Sequence, residues 1–240
     1  MRRTTHNAQR TTQLIVALDV DSLEEARSLV DLLYPTVKIF KVGVQLFTAA
    51  GPKAVDLVRG KGGCVFLDLK FLDIPNTVAN AVRQATSLRV FMLDVHVQGG
   101  KEMLRAAANS AKEQAEKLGI KKPLVLGITV LTSQKANSKV KRTVLEQSHL
   151  AKKYGLDGIV ASPQEARLLR SKLGKDFIIV TPGIRLEKGV RSDQKRTATP
   201  AQAALSGSDY LVIGRPVIQA KNPLAVVKEI LNQICYRKMR

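Results

Sequence analysis

Residues 65–77, Val-Phe-Leu-Asp-Leu-Lys-Phe-Leu-Asp-Ile-Pro-Asn-Thr, begin as an apolar β-type run and end near Pro75, which can open a helix but cannot continue a central strand. On a strand, Asp68 and Lys70 point to one face, and the leucines beside them point to the other. Asp73 lies beyond the strand and need not share a pocket with them in the same chain. Charges of alternating sign at a strand end are costly unless a site uses them. A surface ion pair is the alternative that the spacing leaves open.

Apolar β-type runs alternate with helical patterns on both sides of this stretch, with no break in composition. Eight buried parallel strands in a chain of this length predict an α/β fold, a closed (β/α)8 TIM barrel, as a single domain over 1–240. Basic tails are expected at 1–13 and 236–240. An open doubly wound sheet is the competitor, but it usually carries a glycine-rich turn after the first strand, where this chain has Asp19-Val20-Asp21. The remaining strands are predicted at 14–18, 37–42, 90–97, 123–130, 158–161, 177–181 and 210–213. Helices are predicted at 23–33, 52–59, 75–88, 140–154, 163–173, 200–205 and 224–234, and one further helix follows residues 99–100 and ends at 118.

Composition limits the class of protein. The 240 residues are 45% hydrophobic, which is enough for one large core. The chain has no apolar run near the roughly 18–20 residues that a membrane span needs, and residues 1–13 lack the apolar core of a signal peptide. Cys64 and Cys235 are the only cysteines, which argues against a disulfide framework and predicts a cytoplasmic location.

The net charge of +19 is the unusual number, since 39 Lys and Arg oppose 20 Asp and Glu. Such a surplus is compatible with binding to nucleic acid or another polyanion. The basic residues are spread along the chain, however, and aromatic residues make up only 4% with no Trp, so a stacking surface for single strands is not expected. An anionic small substrate in a generally basic protein is the favoured interpretation, and nucleic-acid binding is the alternative from another functional class.

Polar residues recur where the predicted strands end, and in a barrel these ends converge on one face. Each has a structural explanation on its own: an Asp there often caps a helix, a Lys extends to solvent, and His96 is more often a hydrogen-bonded core histidine than a base. Their coincidence at one end of the barrel favours a site. The residues concerned are Asp19, Lys41, Asp68, Lys70, His96, Thr132, Arg185 and Arg215.

The last two predicted strands indicate an anion site. Gly183 and Gly214 allow backbone N–H groups to approach a ligand closely, and an arginine follows each of them. Loops after the seventh and eighth strands commonly hold phosphate in barrels. Residues 187–199, which contain Gln194, have no apolar period and are predicted to form a loop that closes over the phosphate, with plain disorder as the alternative. No His/Cys cluster indicates a metal site.

The stretch 68–77 resembles the signature of the orotidine 5′-phosphate decarboxylase family, which carries out the last step of UMP synthesis. Further motifs follow in order over about 14–234, and only the basic tails and 136–142 lack a clear counterpart. These motifs are Ala-Leu-Asp at 17–19, Lys-Val-Gly at 41–43, Leu-Thr-Ser at 131–133, Val-Thr-Pro-Gly-Ile-Arg at 180–185 and Val-Ile-Gly-Arg-Pro at 212–216.

This resemblance implies a set of site residues. The implied catalytic residues are Lys41, Asp68 and Lys70 together with Asp73 from the partner subunit of a homodimer. Asp19 and Lys41 are implied to hold the ribose hydroxyls, with Thr77 reaching across the dimer. Thr132, or Ser133 beside it, is implied to contact the pyrimidine. The implied phosphate contacts are Gln194, Gly214 and Arg215, with Arg185 beside them.

The implied reaction is decarboxylation at C6 of orotidine 5′-phosphate with no metal or other cofactor. Carboxylates beside Lys70 favour its ammonium form, which can stabilise the developing carbanion and protonate C6. The nearest rivals are metal-dependent sugar-phosphate enzymes, namely the 3-keto-L-gulonate 6-phosphate decarboxylase and hexulose-phosphate synthase families. They resemble this chain in fold and in the Asp-x-Lys-x-x-Asp pattern, but they have a Glu where this chain has Lys41.

Overall fold

A computed structural model describes residues 11–131, 137–186 and 196–235. Within them, eight parallel strands pair in sequence order, and the eighth pairs with the first to close a barrel. The predicted closed barrel is confirmed, and the open doubly wound sheet is wrong. The strands are β1 (Gln13–Ala17), β2 (Ile39–Gly43), β3 (Cys64–Phe71), β4 (Met92–His96), β5 (Leu124–Ile128), β6 (Gly158–Val160), β7 (Ile178–Thr181) and β8 (Tyr210–Ile213).

Helices follow each strand and cover the barrel from outside. Two of them were not predicted: one starts directly from a strand with no turn residues between, and the other is a single turn, too short to show a helical period. These are α2 and α9. The helices are α1 (Leu23–Leu33), α2 (Val44–Ala50), α3 (Lys53–Gly60), α4 (Pro75–Ser87), α5 (Gly100–Lys117), α6 (Ser138–Lys153), α7 (Pro163–Leu173), α8 (Pro200–Leu205), α9 (Arg215–Ile218) and α10 (Pro223–Cys235), with a 3-10 turn at Val97–Gly99.

Two apolar layers hold the barrel together. The strand side chains that point inward form a small core that fills the barrel below its C-terminal end, and it includes Ile15, Ile39, Phe66 and Met92. The side chains that point outward pack against the helices in a much larger core. Because the interior is filled with apolar side chains, the polar groups at the strand ends lie directly above an apolar layer.

The N-terminal boundary differs from the prediction. Residues 12 and 13 were assigned to a basic tail, but β1 begins at Gln13 and Thr12 is buried, with its hydroxyl donating to the Ser208 carbonyl at 2.8 Å. Residues 1–10 and 236–240 lie outside the described residues, so the rest of both predicted tails stays a prediction. Cys64 and Cys235 are free thiols. Among the described helices, none has the length and apolar character to cross a bilayer.

A fully buried ion pair joins the start of α7 to the segment that precedes α8. Arg196 Nη1 lies 2.8 Å from Glu165 Oε1 at the start of α7, and each side chain is 1% exposed. Arg196 Nη2 also donates to the carbonyls of Val130 and Leu131, both at 2.9 Å. The Ser162 hydroxyl donates to the other oxygen of Glu165. The guanidinium therefore fixes the chain after β5 to the residues that precede α8.

We expect Arg196→Met to lower the free energy of unfolding by about 3–5 kcal/mol, because it leaves the Glu165 charge buried without a partner. Urea denaturation measures this loss. Arg142→Met is the matched control, since Arg142 forms an exposed ion pair with Glu146 on α6 and its loss should have no measurable effect. Glu165→Leu added to Arg196→Met should recover part of the loss. Equal free energies of unfolding for Arg196→Met and Arg142→Met would contradict a stabilising role for the buried ion pair.

Candidate active site

A cavity of about 520 Å³ opens at the C-terminal end of the barrel, in the size range of small-molecule sites. The strand ends divide its wall into three parts. Strands β1 to β4 supply charged groups, β5 and β6 supply apolar ones, and the chain after β7 and β8 supplies two arginines. The lining includes Asp19, Lys41, Asp68, Lys70, Asp94, Ile128, Val130, Leu131, Val160, Ala161, Gly183, Arg185, Val212, Gly214 and Arg215.

Carboxylates and ammonium groups alternate along the first part of this wall. Lys41 Nζ lies 2.8 Å from Asp19 Oδ1 and 3.2 Å from Asp68 Oδ2. The other oxygen of Asp68 pairs with Lys70 Nζ. Asp68 is thus held between two ammonium groups, and the four side chains form one continuous row that crosses three strand ends.

Burial and pairing set the protonation states within the row. Burial alone would lower the pKa of Lys41, but Asp68 and Asp19 raise it above its ordinary value. Burial alone would raise the pKa of Asp68, but the charge of Lys41, the hydrogen bond with Asp94 and the charge of Lys70 bring it far below its ordinary value. Both groups are therefore charged at neutral pH.

A bulge in β3 places Asp68 and Lys70 in the cavity. Pairing with β4 shifts between Leu67 and Phe71, and Lys70 adopts a φ of 51°, which is unusual for a residue other than glycine. The prediction that both charged side chains face one way is confirmed, but the regular strand alternation that we expected to produce it is not present. Asp94 of β4 stabilises the bulge by accepting the backbone N–H of Lys70 on Oδ1 at 2.8 Å.

Asp94 is the site residue that the sequence analysis missed. It lies inside the predicted strand 90–97, where only His96 at the end attracted attention. Its side chain is completely buried beneath the charged row. A charged residue in the middle of an apolar strand was the available signal, because such a residue is rarely buried without a role.

Two arginines line the part of the wall after β7 and β8. Arg185 and Arg215 follow Gly183 and Gly214, as predicted. A Cβ atom on Gly214 would lie 3.3 Å from Asp19 Oδ2 and 3.4 Å from the Ala17 Cβ, so the close contact between the ends of β1 and β8 favours glycine there. The cavity is thus lined by a charge-balanced row from β1 to β3 and by two arginines that follow β7 and β8.

The remaining predicted residues fall into two groups. Three do not line the cavity: His96 is half-buried, and Asp73 and Thr77 are exposed. Burial and Lys70 lower the pKa of His96, and its Nδ1 is buried without a described partner, so the expected hydrogen-bonded core histidine is not what the described residues show. Thr132, Ser133 and Gln194 lie outside the described residues.

Gly43→Ala tests whether the Lys41 ammonium is held in place. An added Cβ would lie 2.5 Å from Lys41 Nζ and 3.3 Å from Asp19 Oδ1, so the Lys41 ammonium must move from its position. We expect a loss of about 1–3 kcal/mol in the free energy of unfolding. Gly60→Ala is the control, because nothing lies within 4 Å of its added Cβ. Equal stability of Gly43→Ala and Gly60→Ala would contradict a fixed position for Lys41.

Curated relatives and solved structures share this architecture. The chain is 48% identical over 231 residues to orotidine 5′-phosphate decarboxylase of Moorella thermoacetica, covering 92% of each chain. It is 47% identical over 226 residues to the Vibrio cholerae enzyme of the same name, covering 91% of this chain and 96% of the relative. The crystal structure of orotidine 5′-phosphate decarboxylase from Lactobacillus acidophilus superposes with a TM-score of 0.81 at 33% identity, covering 93% of this chain and 99% of the other.

The family model for orotidine 5′-phosphate decarboxylase / HUMPS matches residues 12–230, from the start of the barrel into its last helix. This range contains every strand and the whole charged row. The chain therefore belongs to the orotidine 5′-phosphate decarboxylase / HUMPS family.

Proposed function

We propose that this chain decarboxylates orotidine 5′-phosphate to UMP and CO2, the last step of UMP synthesis, without a metal or other cofactor. The observation that carries the proposal is the row Asp19–Lys41–Asp68–Lys70 in one cavity with Arg185 and Arg215. A substrate that fits has a reacting carboxylate at one end and a phosphate at the other. The relatives at 45–48% identity that bear the decarboxylase name support the same choice.

Lys70 is the proposed proton donor. When the C6–CO2 bond breaks, its electron pair stays on C6, where the pyrimidine ring cannot delocalise it. An ammonium held beside C6 stabilises this charge and then transfers a proton to the carbon, and the resulting amine recovers its proton from water. Asp68 keeps Lys70 in position and lies near the departing carboxylate. Because the row is already assembled, little reorganisation is needed when the charge develops.

The position of Lys41 supports a cofactor-free reaction over the metal-dependent rivals in the superfamily. Its ammonium lies between Asp19 and Asp68, at the place where a divalent cation would need both carboxylates. The row thus supplies its own positive charge. We propose that Lys41 and Asp19 bind the ribose hydroxyls.

The phosphate end is proposed at Arg185, Gly214 and Arg215, with Gln194 from the loop 187–199. The apolar stretch between the two ends, which includes Ile128, Val130 and Val160, suits a flat base, and Thr132 or Ser133 is proposed to contact the pyrimidine edge. Binding energy at the phosphate, remote from C6, can be used to orient the reacting carbon against Lys70.

A homodimer with shared sites is proposed from the residues that follow β3. Asp73 and Thr77 are exposed and do not line the cavity of their own chain. Leu72 and Ile74 beside Asp73 are 51% and 67% exposed, an apolar surface that a second copy of the chain would cover. We propose that Asp73 completes the partner's charged row and that Thr77 binds the partner's substrate. A cytoplasmic location stays a prediction.

An absorbance assay for loss of orotidine 5′-phosphate, run with and without EDTA, tests the proposal. Cofactor-free decarboxylation predicts equal rates in the two arms. Activity that EDTA abolishes and a divalent cation restores would favour the metal-dependent sugar-phosphate enzymes. No turnover in either arm, with the folded chain confirmed by circular dichroism, would overturn the proposal.

Arg215→Ala should weaken binding of UMP by about 2–5 kcal/mol, because it removes a charged partner of the phosphate. Isothermal titration calorimetry with UMP and with uridine separates this contact from the rest of the site. The uridine affinity should not change. Arg142→Ala, an exposed substitution on α6, controls for the loss of one positive charge. Equal effects on UMP and uridine would place the phosphate elsewhere.

Mixing Lys70→Ala and Asp73→Asn subunits tests the shared site. Each homodimer should be almost inactive, since one lacks the proton donor and the other lacks the partner carboxylate. Random exchange gives heterodimers with one intact site, so the mixture should recover about a quarter of wild-type activity. Activity that does not rise above that of the separate variants after subunit exchange would argue for sites contained in one chain.

A further inference from the structure

Asp94 carries a buried carboxyl group to which the proposed chemistry gives no role. Its side chain is 0% exposed on β4, and Oδ1 accepts the backbone N–H of Lys70 at 2.8 Å. Oδ2 is buried and has no hydrogen-bond donor among the described residues. A carboxylate oxygen in that position carries an unmet desolvation cost, whereas a protonated oxygen becomes a donor and needs an acceptor.

Asp68 is the acceptor that the structure offers. Asp68 is the neighbouring carboxyl group, and a hydrogen bond between two carboxyl groups requires a proton on one of them. Asp68 already pairs with the ammonium groups of Lys41 and Lys70, so its charged form is the stabilised one. Burial and the charge of Asp68 raise the pKa of Asp94 well above its ordinary value, although Lys70 opposes this.

Among the residues that the structure describes, the surroundings of Asp94 show no further cation to hold a second negative charge. From β3 it faces Asp68 and Lys70, and Lys41 of β2 reaches it only through Asp68. His96 on the same strand has a pKa lowered by burial and is therefore neutral at neutral pH. The register partner of Asp94 on β5 is Leu126, which is apolar. Ile128, the residue of β5 that lines the cavity, is apolar as well. Two carboxylates and two ammonium groups already balance in the row above.

We propose that Asp94 is a positioning residue that carries a proton at neutral pH: Oδ2 donates it to Asp68, while Oδ1 holds the Lys70 backbone N–H. The neutral carboxyl thereby fixes the left-handed backbone of Lys70 and the orientation of Asp68 without adding charge to the row. The proposal deepens the proposed decarboxylation and rests on it for its kinetic consequences, but the protonation state can be tested without any activity.

Stability against pH gives the first test, with urea denaturation of the wild type and Asp94→Asn. The folded wild type keeps a proton that the unfolded chain releases above about pH 4. Its stability therefore falls as pH rises from there to the folded-state pKa, and the asparagine variant lacks this fall. The ratio of unfolding constants, wild type over Asp94→Asn, should rise about tenfold per pH unit in this window. Asp56→Asn, exposed on α3, should show no such trend.

Infrared difference spectroscopy detects the proton directly. At neutral pH the wild type should show the carbonyl stretch of a protonated carboxylic acid, and Asp94→Asn should lack it, while Asp56→Asn keeps it. A wild-type spectrum without this band, or a stability ratio that does not change with pH, would overturn the proposal. Both measurements stand whether or not the chain turns over orotidine 5′-phosphate.

Kinetics test the positioning role. Asp94→Asn keeps the shape and can both donate and accept, so kcat should stay within about threefold of wild type with an unshifted pH profile. Asp94→Leu removes both hydrogen bonds and should lower kcat by about 10- to 100-fold with KM little changed. A large loss or a shifted profile in Asp94→Asn would show that an ionised Asp94 is required. Wild-type kcat in Asp94→Leu would remove the positioning role.

Discussion

The Asp68 carboxylate, held between the ammonium groups of Lys41 and Lys70, is the interaction on which the site depends. Taken alone, each of the three charges would be expensive to bury at the end of an apolar barrel. Taken together with Asp19, they neutralise one another, so the site keeps a cation at a defined place with no net charge. Lys41 and Asp68 each pair with two members of the row, so removing either of these two residues changes the surroundings of both of its neighbours.

The barrel makes this row possible because it brings distant segments to one face. Asp19 follows β1, whereas Lys41 and Asp68 lie in β2 and β3, and register pairing places these three neighbouring strands side by side. The bulge in β3 then turns Lys70 toward the same cavity. The filled apolar interior below keeps the effective dielectric low, and electrostatic stabilisation is stronger there than in water. The charged row and the two arginines therefore line one cavity of the same scaffold.

Much of this arrangement could be predicted from the sequence, because it depends on strand ends. Apolar runs that each finish in a polar residue predict both the closed barrel and the convergence of Asp19, Lys41, Asp68, Lys70, Arg185 and Arg215. The bulge could not be predicted, because the hydrogen bond that stabilises it joins the Lys70 backbone of β3 to the Asp94 side chain of β4. Asp94 itself was hidden for the same reason: its role depends on a partner from a neighbouring strand. The buried pair of Arg196 and Glu165 likewise joins residues far apart in sequence.

The central claim is that the Lys70 ammonium faces the carbon that loses CO2. A crystal structure of the chain with bound UMP tests this most directly. The account predicts C6 within about 3–3.5 Å of Lys70 Nζ, close enough for proton transfer, with the phosphate at Arg215. A nucleotide seated with its base away from Lys70, or with its phosphate beside the charged row, would contradict it.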